Sequence, residues 1–374
     1  MQKNNYRFLL ILFFISLCST VNAQDHSFSQ PFLNQLYLNP AYTGVNRGLR
    51  IGFNYRNQWT RVPRKLETFN LALDIQSIQT LSGGIGLLAY RNVEGEGFLA
   101  TNSVGALYAY HLLVSKNFNI NFGAYSGMMM KTIDWSRLQF TDQFDPVQGL
   151  VSPISPGFDE PVSESAAFLD VAGGILFRFN IPFDNGRKSI SNEIGYSAWH
   201  INRADESLIG GNTILPFKQI AHLNIWFPVS QYNSQTPPLY LSPKLVYEQQ
   251  GSFKTFISSL YIQRSPVFGG FSYRNRQPFN TDNTDAYTFH VGVNGYWDAL
   301  SSIYIIAYSY DFNVTGLGSA SAGVHEVSLV FTFEKARLSR RDANNKSRRS
   351  TKCFSFGENL MKGGKKGIFP HPIY

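Results

Sequence analysis

Cysteine is almost absent from the chain, which has only Cys18 and Cys353 in 374 residues. Cys18 lies in an apolar N-terminal leader, so a processed chain keeps Cys353 alone. A single cysteine cannot form an internal disulfide. The folded part must therefore be stabilised by packing and hydrogen bonds, even in an oxidising compartment.

Long hydrophobic runs are also lacking. The longest one, from Phe8 to Leu17, has about ten residues, whereas a helix that spans a bilayer needs about 20. It follows the basic n-region of Lys3 and Arg7, and small residues lead up to Ala23. This is the pattern of a secretory signal peptide, residues 1–23, cleaved near Ala23. Bulky Leu17 beside Cys18 disfavours a lipoprotein.

A general excess of positive charge is missing as well. The whole chain carries +8, of which the leader contributes +2 and residues 335–374 contribute +9, leaving −3 for residues 24–334. The basic character therefore belongs to a tail, and not to a nucleic-acid-binding face. Residues 335–374 are predicted to form a basic, disordered periplasmic tail because their first half has almost no apolar content.

Helical spacing is nearly absent, and an alternation of apolar and polar residues at period two takes its place. In one run Leu49, Ile51, Phe53 and Tyr55 alternate with small or polar residues. This period is typical of strands with one apolar and one polar face. About 14 such runs can be counted. They lie near 48–58, 67–76, 83–91, 102–113, 117–133, 167–180, 191–201, 219–227, 239–248, 253–264, 267–275, 286–294, 301–311 and 325–333.

An even number of short amphipathic strands predicts an all-β fold, a transmembrane antiparallel β-barrel of about 14 strands over residues 48–334. The gaps after odd-numbered runs are mostly long, as outside loops are, and those after even-numbered runs are often shorter. The gap 228–238 follows the eighth run and is long, so it is an exception. Aromatic residues make up 15% of the chain, and many fall near strand ends, as in interfacial girdles. A secreted soluble β-sandwich or propeller is the alternative. The barrel predicts an outer-membrane location.

Motifs for chemistry are missing too. The seven histidines are scattered, no G-x-S-x-G elbow occurs, and the glycine-rich spots fall within strand patterns. We therefore expect no enzymatic activity, no cofactor and no metal. A calcium site at Asp142 and Asp145 is conceivable, but the ligand spacing of a calcium loop is not met, so solvated loop carboxylates are preferred.

Three segments resemble a known family. The first contains Phe28–Gln30 and the run Leu36–Gly44, the second is Leu138–Gln143, and the third joins Ser309–Phe312 to Gly323 and His325–Ser328. Together they are similar to PorP/SprF proteins of the type IX secretion and gliding machinery. Val324 is a mild departure, because a small polar residue is expected before His325.

The resemblance implies a non-enzymatic outer-membrane, cell-surface component of protein secretion and gliding motility. It would support secretion or surface anchoring of a cargo such as an adhesin, whose C-terminal domain docks on outward loops 134–166 and 274–286. Periplasmic secretion or gliding components and outer-membrane lipid would be the other partners; nucleic acid would not. The alternative is a porin-like channel for small solutes, for which Arg50, Arg56, Lys244 and Arg264 would suit anions. A barrel hydrolase is disfavoured.

Residues 24–47 are predicted to form an N-terminal periplasmic cap that leads into the barrel. Pro40 forces Asn39 toward an extended conformation and Gly44 can adopt a positive φ, so this segment should keep a fixed shape. The preferred interpretation is an N-terminal plug or cap that packs Tyr37 and Tyr42 against the barrel mouth, and the alternative is a docking epitope for a periplasmic partner. The residues predicted to bind partners are Tyr37, Asn39, Pro40, Tyr42, Gly44, Asp142, Gln143, Arg348, Arg349 and Phe369.

Overall fold

The structure is a closed antiparallel barrel of 14 strands. It is a computed structural model that describes residues 25–46, 48–61, 66–77, 82–95, 99–145, 147–151, 165–184, 188–208, 213–230, 237–277, 284–314, 322–334 and 336. The barrel strands are β1 (Leu49–Gln58), β2 (Leu66–Ser77), β3 (Gly83–Glu94), β4 (Leu99–Ser115), β5 (Phe118–Thr132), β8 (Ser165–Phe183), β9 (Lys188–Trp199), β10 (Lys218–Pro228), β11 (Tyr240–Gln250), β12 (Phe253–Arg264), β13 (Val267–Asn275), β14 (Thr284–Trp297), β15 (Ser302–Asn313) and β16 (Val324–Phe333). Between β5 and β8, β6 (Phe144–Asp145) and β7 (Gly149–Leu150) form a small separate hairpin.

The barrel closes between its first and last strands. Leu49 of β1 lies opposite Phe333 of β16 on one side and Ile75 of β2 on the other. Every barrel strand pairs with two neighbours, so the backbone groups of the wall are satisfied without water, which is what a membrane requires. The predicted all-β, 14-stranded transmembrane barrel is confirmed, with strands such as β4 and β8 a few residues longer than expected.

The period-two pattern separates the two faces of the wall. In β1, Arg50, Asn54 and Arg56 point into the barrel and are buried, whereas Phe53 on the other face is exposed. Other strands repeat this arrangement of buried polar and exposed apolar side chains. The apolar exterior suits lipid. The inward-facing polar side chains need hydrogen-bonding partners inside the lumen. Among the described residues, no helix is long and apolar enough to cross a bilayer.

The two ends of the barrel differ in the length of their connections. One end carries 59–65, 95–98, 133–164, 200–217, 251–252, 276–283 and 314–323; the other carries 78–82, 116–117, 184–187, 229–239, 265–266 and 298–301. Because outer-membrane barrels have long outside loops and short periplasmic turns, we assign the first set to the outer end and the second to the periplasmic end. The connection 229–239 is the long exception that the sequence indicated.

The N-terminal segment fills the lumen. Residues 25–46, here called the plug, contain helix α1 (Gln35–Leu38) and a 3-10 turn over Pro40–Tyr42, and almost all of their side chains are buried. The plug begins near the outer end and descends to the start of β1. The sequence placed residues 24–47 as a cap at the periplasmic mouth, whereas the structure places the described part of them inside the barrel. The polar wall supplies the hydrogen-bonding partners that such a segment requires.

Candidate functional site

The plug is fixed at the outer end by a histidine between two carboxylates. His200, just after β9, lies 2.8 Å (Nδ1) from Asp170 Oδ1 of β8 and 2.6 Å (Nε2) from Asp25 Oδ2 of the plug. The Asp25 backbone N–H also donates to Gln250 Oε1 of β11 at 2.7 Å. Three wall strands therefore hold the first described residue of the plug, and we call Asp25, His200 and Asp170 the latch.

The latch is an ionic arrangement. Burial disfavours a charged His200, but the carboxylates of Asp25 and Asp170 outweigh it and raise the His200 pKa to about 9. Burial opposes ionisation of Asp25 in turn, yet His200, with further help from Lys218 and His26, holds the Asp25 pKa well below its usual range. Both partners are therefore charged at neutral pH.

Further down, the plug is bound by two buried carboxylates. Glu326 of β16 accepts hydrogen bonds from the backbone N–H groups of Ser29 and Gln30 at 2.6 and 3.0 Å. Asp311 of β15 accepts one from the Ser29 hydroxyl at 2.6 Å, and the Gln30 side chain donates to Ser309 at 3.0 Å. The first and third segments that resemble PorP/SprF proteins thus bind each other. Their shared function in the fold is to hold the plug.

Asn39 makes hydrogen bonds both within the lower plug and to the wall. It has the expected extended backbone, with φ −160° and ψ 121°, and its Oδ1 accepts from the Ala41 N–H at 2.9 Å, which caps the turn over Pro40–Tyr42. Its Nδ2 donates to the carbonyl oxygens of Ile175 and Tyr196 at 3.0 and 3.3 Å. One side chain therefore shapes the plug and attaches it to β8 and β9.

Tyr42 and Gly44 attach the end of the plug to two buried ion pairs. The Tyr42 hydroxyl donates to Glu193 Oε2 at 3.0 Å, and Glu193 pairs with Arg178 at 2.9 Å. The Gly44 N–H donates to Asp74 Oδ2 at 2.9 Å. Asp74 faces Arg50 at 3.5 Å, and Arg50 donates to the Leu33 carbonyl at 2.8 Å. Arg50, expected to serve anions in an open channel, is thus committed to the plug.

Glycines in the wall let the plug backbone approach closely. A Cβ at Gly123 would overlap the backbone of Pro40 and Ala41, and a Cβ at Gly84 would overlap that of Gly44. Gly44 itself has the positive φ of 70° that the sequence predicted for a turn. The small residues make a groove in the wall, and the plug lies in it.

Above the plug, the outer end of the barrel opens into a cavity of about 600 Å³, here called the vestibule. Its floor is the start of the plug, Asp25 to Ser27, and its walls come from β1 to β3 and from β12 to β15. The lining is polar, with charges of both signs: Arg56, Arg274 and Arg276 against Asp25, Glu94 and Asp285. The plug closes the bottom, so the vestibule is a blind well facing outward.

The described part of the long outer loop, residues 133–145 and 147–151, contains a small hydrogen-bonded unit. Gln143 is buried; its Oε1 accepts from the Phe140 N–H at 2.7 Å, and its carbonyl accepts from the Val151 N–H at 2.9 Å. This brings together the hairpin of β6 and β7, on which Phe144 and Val147 are exposed. Asp142 lies in the 3-10 turn Thr141–Gln143.

Asp145 braces the hairpin turn. Its Oδ1 accepts from the N–H groups of Val147 and Gln148 at 2.7 and 2.9 Å. The bonds from Gln148 and Val147 lower the Asp145 pKa. Among the residues that the structure describes, no cluster of histidine, cysteine and acidic side chains is arranged to hold a metal ion.

The structure separates the predicted partner-binding residues into three groups. Tyr37, Asn39, Pro40, Tyr42 and Gly44 are plug residues that contact the wall. Asp142 and Gln143 lie in the outer loop. Arg348, Arg349 and Phe369, like most of the predicted tail 335–374, lie outside the described residues.

Sequence reasoning missed the wall partners of the plug and the latch. They are Asp74, Asp170, Glu193, His200, Asp311 and Glu326. Most are acidic residues at inward positions of apolar strands, which is a signal in itself because a charge at that depth requires a partner.

A closed 14-stranded barrel with an apolar exterior and a polar, filled lumen is an outer-membrane-type β-barrel protein. The family model described as "Type IX secretion system membrane protein PorP/SprF" matches residues 20–331, which is most of the chain. The chain therefore belongs to the PorP/SprF family, and it is a membrane component of type IX secretion. The predicted family and the outer-membrane barrel are confirmed.

Three of the solved structures that match the chain share little of its sequence. The Ralstonia pickettii toluene transporter TbuX is 11% identical with a TM-score of 0.43, covering 83% of this chain and 94% of its own. A Pseudomonas aeruginosa FadL homologue is 11% identical with a TM-score of 0.41, covering 79% and 92%. Acinetobacter baumannii Omp33 is 7% identical with a TM-score of 0.36, covering 78% and 99%. No curated protein matches the chain.

Proposed function

We propose that this protein is a non-enzymatic attachment component of type IX secretion, which holds a secreted cargo protein at the cell surface by its outer end. The observation that carries the proposal is the plug. A lumen filled by residues 25–46 and hydrogen-bonded to the wall along its length is suited to binding at the two ends and unsuited to passing a polypeptide.

The outer end offers a surface for a protein partner. Phe144 and Val147 of the β6–β7 hairpin are exposed, and Val147 has 92% of its surface accessible. Both residues belong to the long outer connection between β5 and β8. Neighbouring apolar side chains that form an exposed patch can serve as an interaction site, whereas single ones are common on any surface. The cargo's C-terminal domain is proposed to contact this hairpin, as predicted for loop 134–166.

The periplasmic end is proposed to couple to the secretion or gliding machinery. Family membership supports a contact with the machinery in general. The basic tail 335–374 follows β16, which ends at the periplasmic end, so the tail is the candidate for this contact. Removing residues 337–374 should leave the barrel folded and reduce co-purification of periplasmic partners from solubilised membranes; unchanged co-purification would assign the contact elsewhere.

A small-solute channel is the second candidate. Its support is the barrel itself and the vestibule, but conduction would require the plug to leave the lumen. The hydrogen bonds of Ser29, Gln30, Asn39 and Gly44 to the wall oppose this. The attachment proposal is therefore preferred.

The test of attachment is the surface proteome of a strain that lacks the gene. One or a few secreted proteins should disappear from the cell surface and return with the wild-type gene. A variant carrying Phe144→Ser and Val147→Ser should not restore them. The matched control is Val229→Ser, an exposed apolar residue at the periplasmic end. Normal surface display in the deletion strain would overturn the proposal.

A further inference from the structure

The vestibule contains two arginines whose hydrogen-bonding capacity is largely unused. Arg56 of β1 and Arg274 of β13 both line it. Within the described residues, Arg56 donates one hydrogen bond, from Nη1 to Gln58 at 2.7 Å, and Arg274 donates one, from Nη1 to Asp311 at 3.1 Å. A guanidinium has five N–H donors. The Nε of each residue has no acceptor in the described part of the chain, but it is buried, so the Nη groups are the donors left for a ligand in the vestibule.

The carboxylates near these arginines are already engaged by the plug. Glu326 lies 3.6 Å from Arg56 Nε, which is too far for a hydrogen bond, and it accepts instead from Ser29, Gln30 and Asn54. Asp311 is shared between Arg274 and the Ser29 hydroxyl. The two carboxylates thus neutralise charge and fix the plug, but most of the guanidinium donors have no acceptor among the residues that the structure describes.

The two guanidinium groups face carboxylates, Glu326 and Asp311, that both accept hydrogen bonds from Ser29, so they lie close together in the same cavity. An anion placed between them would accept hydrogen bonds from the spare donors of both groups. A carboxylate suits the planar fork of arginine, which can bind it through two parallel hydrogen bonds.

The remaining lining indicates which molecule carries that anion. Arg56, Arg274 and Arg276 are balanced in number by Asp25, Glu94 and Asp285, so a polyanionic lipid headgroup would meet as many acidic as basic residues. Gln58 Oε1 already accepts from Arg56, and both atoms of the Asn92 amide are bonded, to Thr68 and Glu94, so the Gln58 N–H groups are the amide donors that suit a peptide carbonyl. About 600 Å³ is within the usual range of ligand sites and accommodates a few residues.

We propose that the vestibule binds an extended polypeptide segment from outside, with Arg56 and Arg274 receiving its carboxylate. This inference rests on the proposed function, because it identifies the chemical contact through which a cargo polypeptide enters the outer end. The plug provides the floor of the site through Asp25 to Ser27. The arginines are binding residues, and Glu326 and Asp311 position them.

The test uses isothermal titration of the full-length processed protein in detergent with three probes. These are N-acetyl-Gly-Ser-Gly-Ser-Gly with a free C-terminal carboxylate, the same peptide as its C-terminal amide, and inorganic phosphate. The acid should bind at least tenfold more tightly than the amide and more tightly than phosphate. Equal affinity for acid and amide, absence of binding by the acid, or a preference for phosphate would overturn the proposal.

Variants locate the site. Arg56→Lys and Arg274→Lys keep the charge beside Glu326 and Asp311 but lose the planar fork, so each should reduce the preference for the acid at least tenfold. The control is Arg91→Lys, which is exposed on the outer face of β3 and hydrogen-bonded to Asn102. The acid-to-amide ratio of the wild-type protein requires no variant, so it stands even if the lysine variants fold poorly. An unchanged ratio in folded lysine variants would overturn the assignment.

The outcomes separate the two proposals. If deletion of the gene abolishes cargo display while acid and amide bind alike, the carboxylate site is wrong and the attachment function stands. If cargo display survives deletion, the attachment function fails whatever the titration shows.

Discussion

At the scale of single residues, the plug depends on a few polar groups that each make several contacts. Asn39 joins the turn, β8 and β9, and Glu326 joins two plug amides to Asn54. Buried groups of this kind have a large effect when removed, because their partners are left without hydrogen bonds in a place that water does not easily reach.

Replacing Asn39 with alanine should loosen the plug while the barrel remains folded. The loss leaves the Ala41 N–H unpaired and removes two bonds to the wall, which should weaken docking by about 2 kcal/mol. Amide exchange of residues 35–43 should accelerate about 30-fold, as measured by hydrogen–deuterium exchange mass spectrometry. Asn102→Ala, on the outer face, is the control. Equal protection in both variants would contradict the assigned role of Asn39.

The latch should make attachment of the plug's first residues depend on pH. The His200 pKa of about 9 lies above the ordinary 6.5, so its contribution is complete below pH 6.5 and is lost as pH rises through 9. The Asp25 pKa lies below its ordinary 3.8, so its contribution is present above 3.8 and is lost as pH falls further.

Limited proteolysis of residues 25–30 between pH 5 and pH 11 measures this dependence. Cleavage in the wild-type protein should increase as pH rises past 9, relative to an exposed loop site that corrects for the protease's own pH profile. His200→Gln should cleave faster at neutral pH and show a flatter profile. If His200→Gln shows the same increase in cleavage with pH as the wild type, His200 does not contribute to the latch.

At the scale of elements, the sequence predicted the wall, but it placed the N-terminal plug or cap at the barrel mouth and not inside the lumen. Each strand contains its own evidence, because lipid on one side and polar groups on the other impose period two along β1, β5 and β16. The plug has no such period. Its partners are remote, with 297 residues separating Ser29 from Glu326. Inward polar residues such as Arg50 and Glu193 fit a water-filled lumen equally well, so only the structure distinguishes the two cases.

Adding one methyl group to a wall glycine tests whether close approach of the plug to the wall keeps the lumen closed. Gly123→Ala places a Cβ against the backbone of Pro40 and Ala41, so the plug should shift and the lumen should leak in planar bilayers. Gly173→Ala is the matched control, on the strand that pairs with β5, where a Cβ meets only ordinary contacts at 3.8 Å. If neither variant leaks, the plug tolerates the added methyl group, and close packing against Gly123 is not what keeps the lumen closed.

At the scale of the whole molecule, the plugged barrel should not conduct ions. Wild-type protein in planar bilayers should show little steady conductance, whereas deletion of residues 25–44 should give reproducible large steps from a 14-stranded lumen. The variant that lacks residues 337–374 should show as little conductance as the wild type, and it serves as the control for truncation itself. Large steps from the wild-type protein would favour the channel alternative.

The route of the plug through the ring has a consequence for assembly. Its upper part is bound by Asp311 and Glu326, which belong to the final two strands. The portion of the chain that is synthesised early must therefore wait for the portion that is synthesised late. Until β15 and β16 pair in register, the plug has no carboxylates to bind, and Asp311 and Glu326 have no plug groups as partners. Closure of the ring and docking of its contents are thus a single, late event, and an unfinished barrel is recognisable by the open state of its interior.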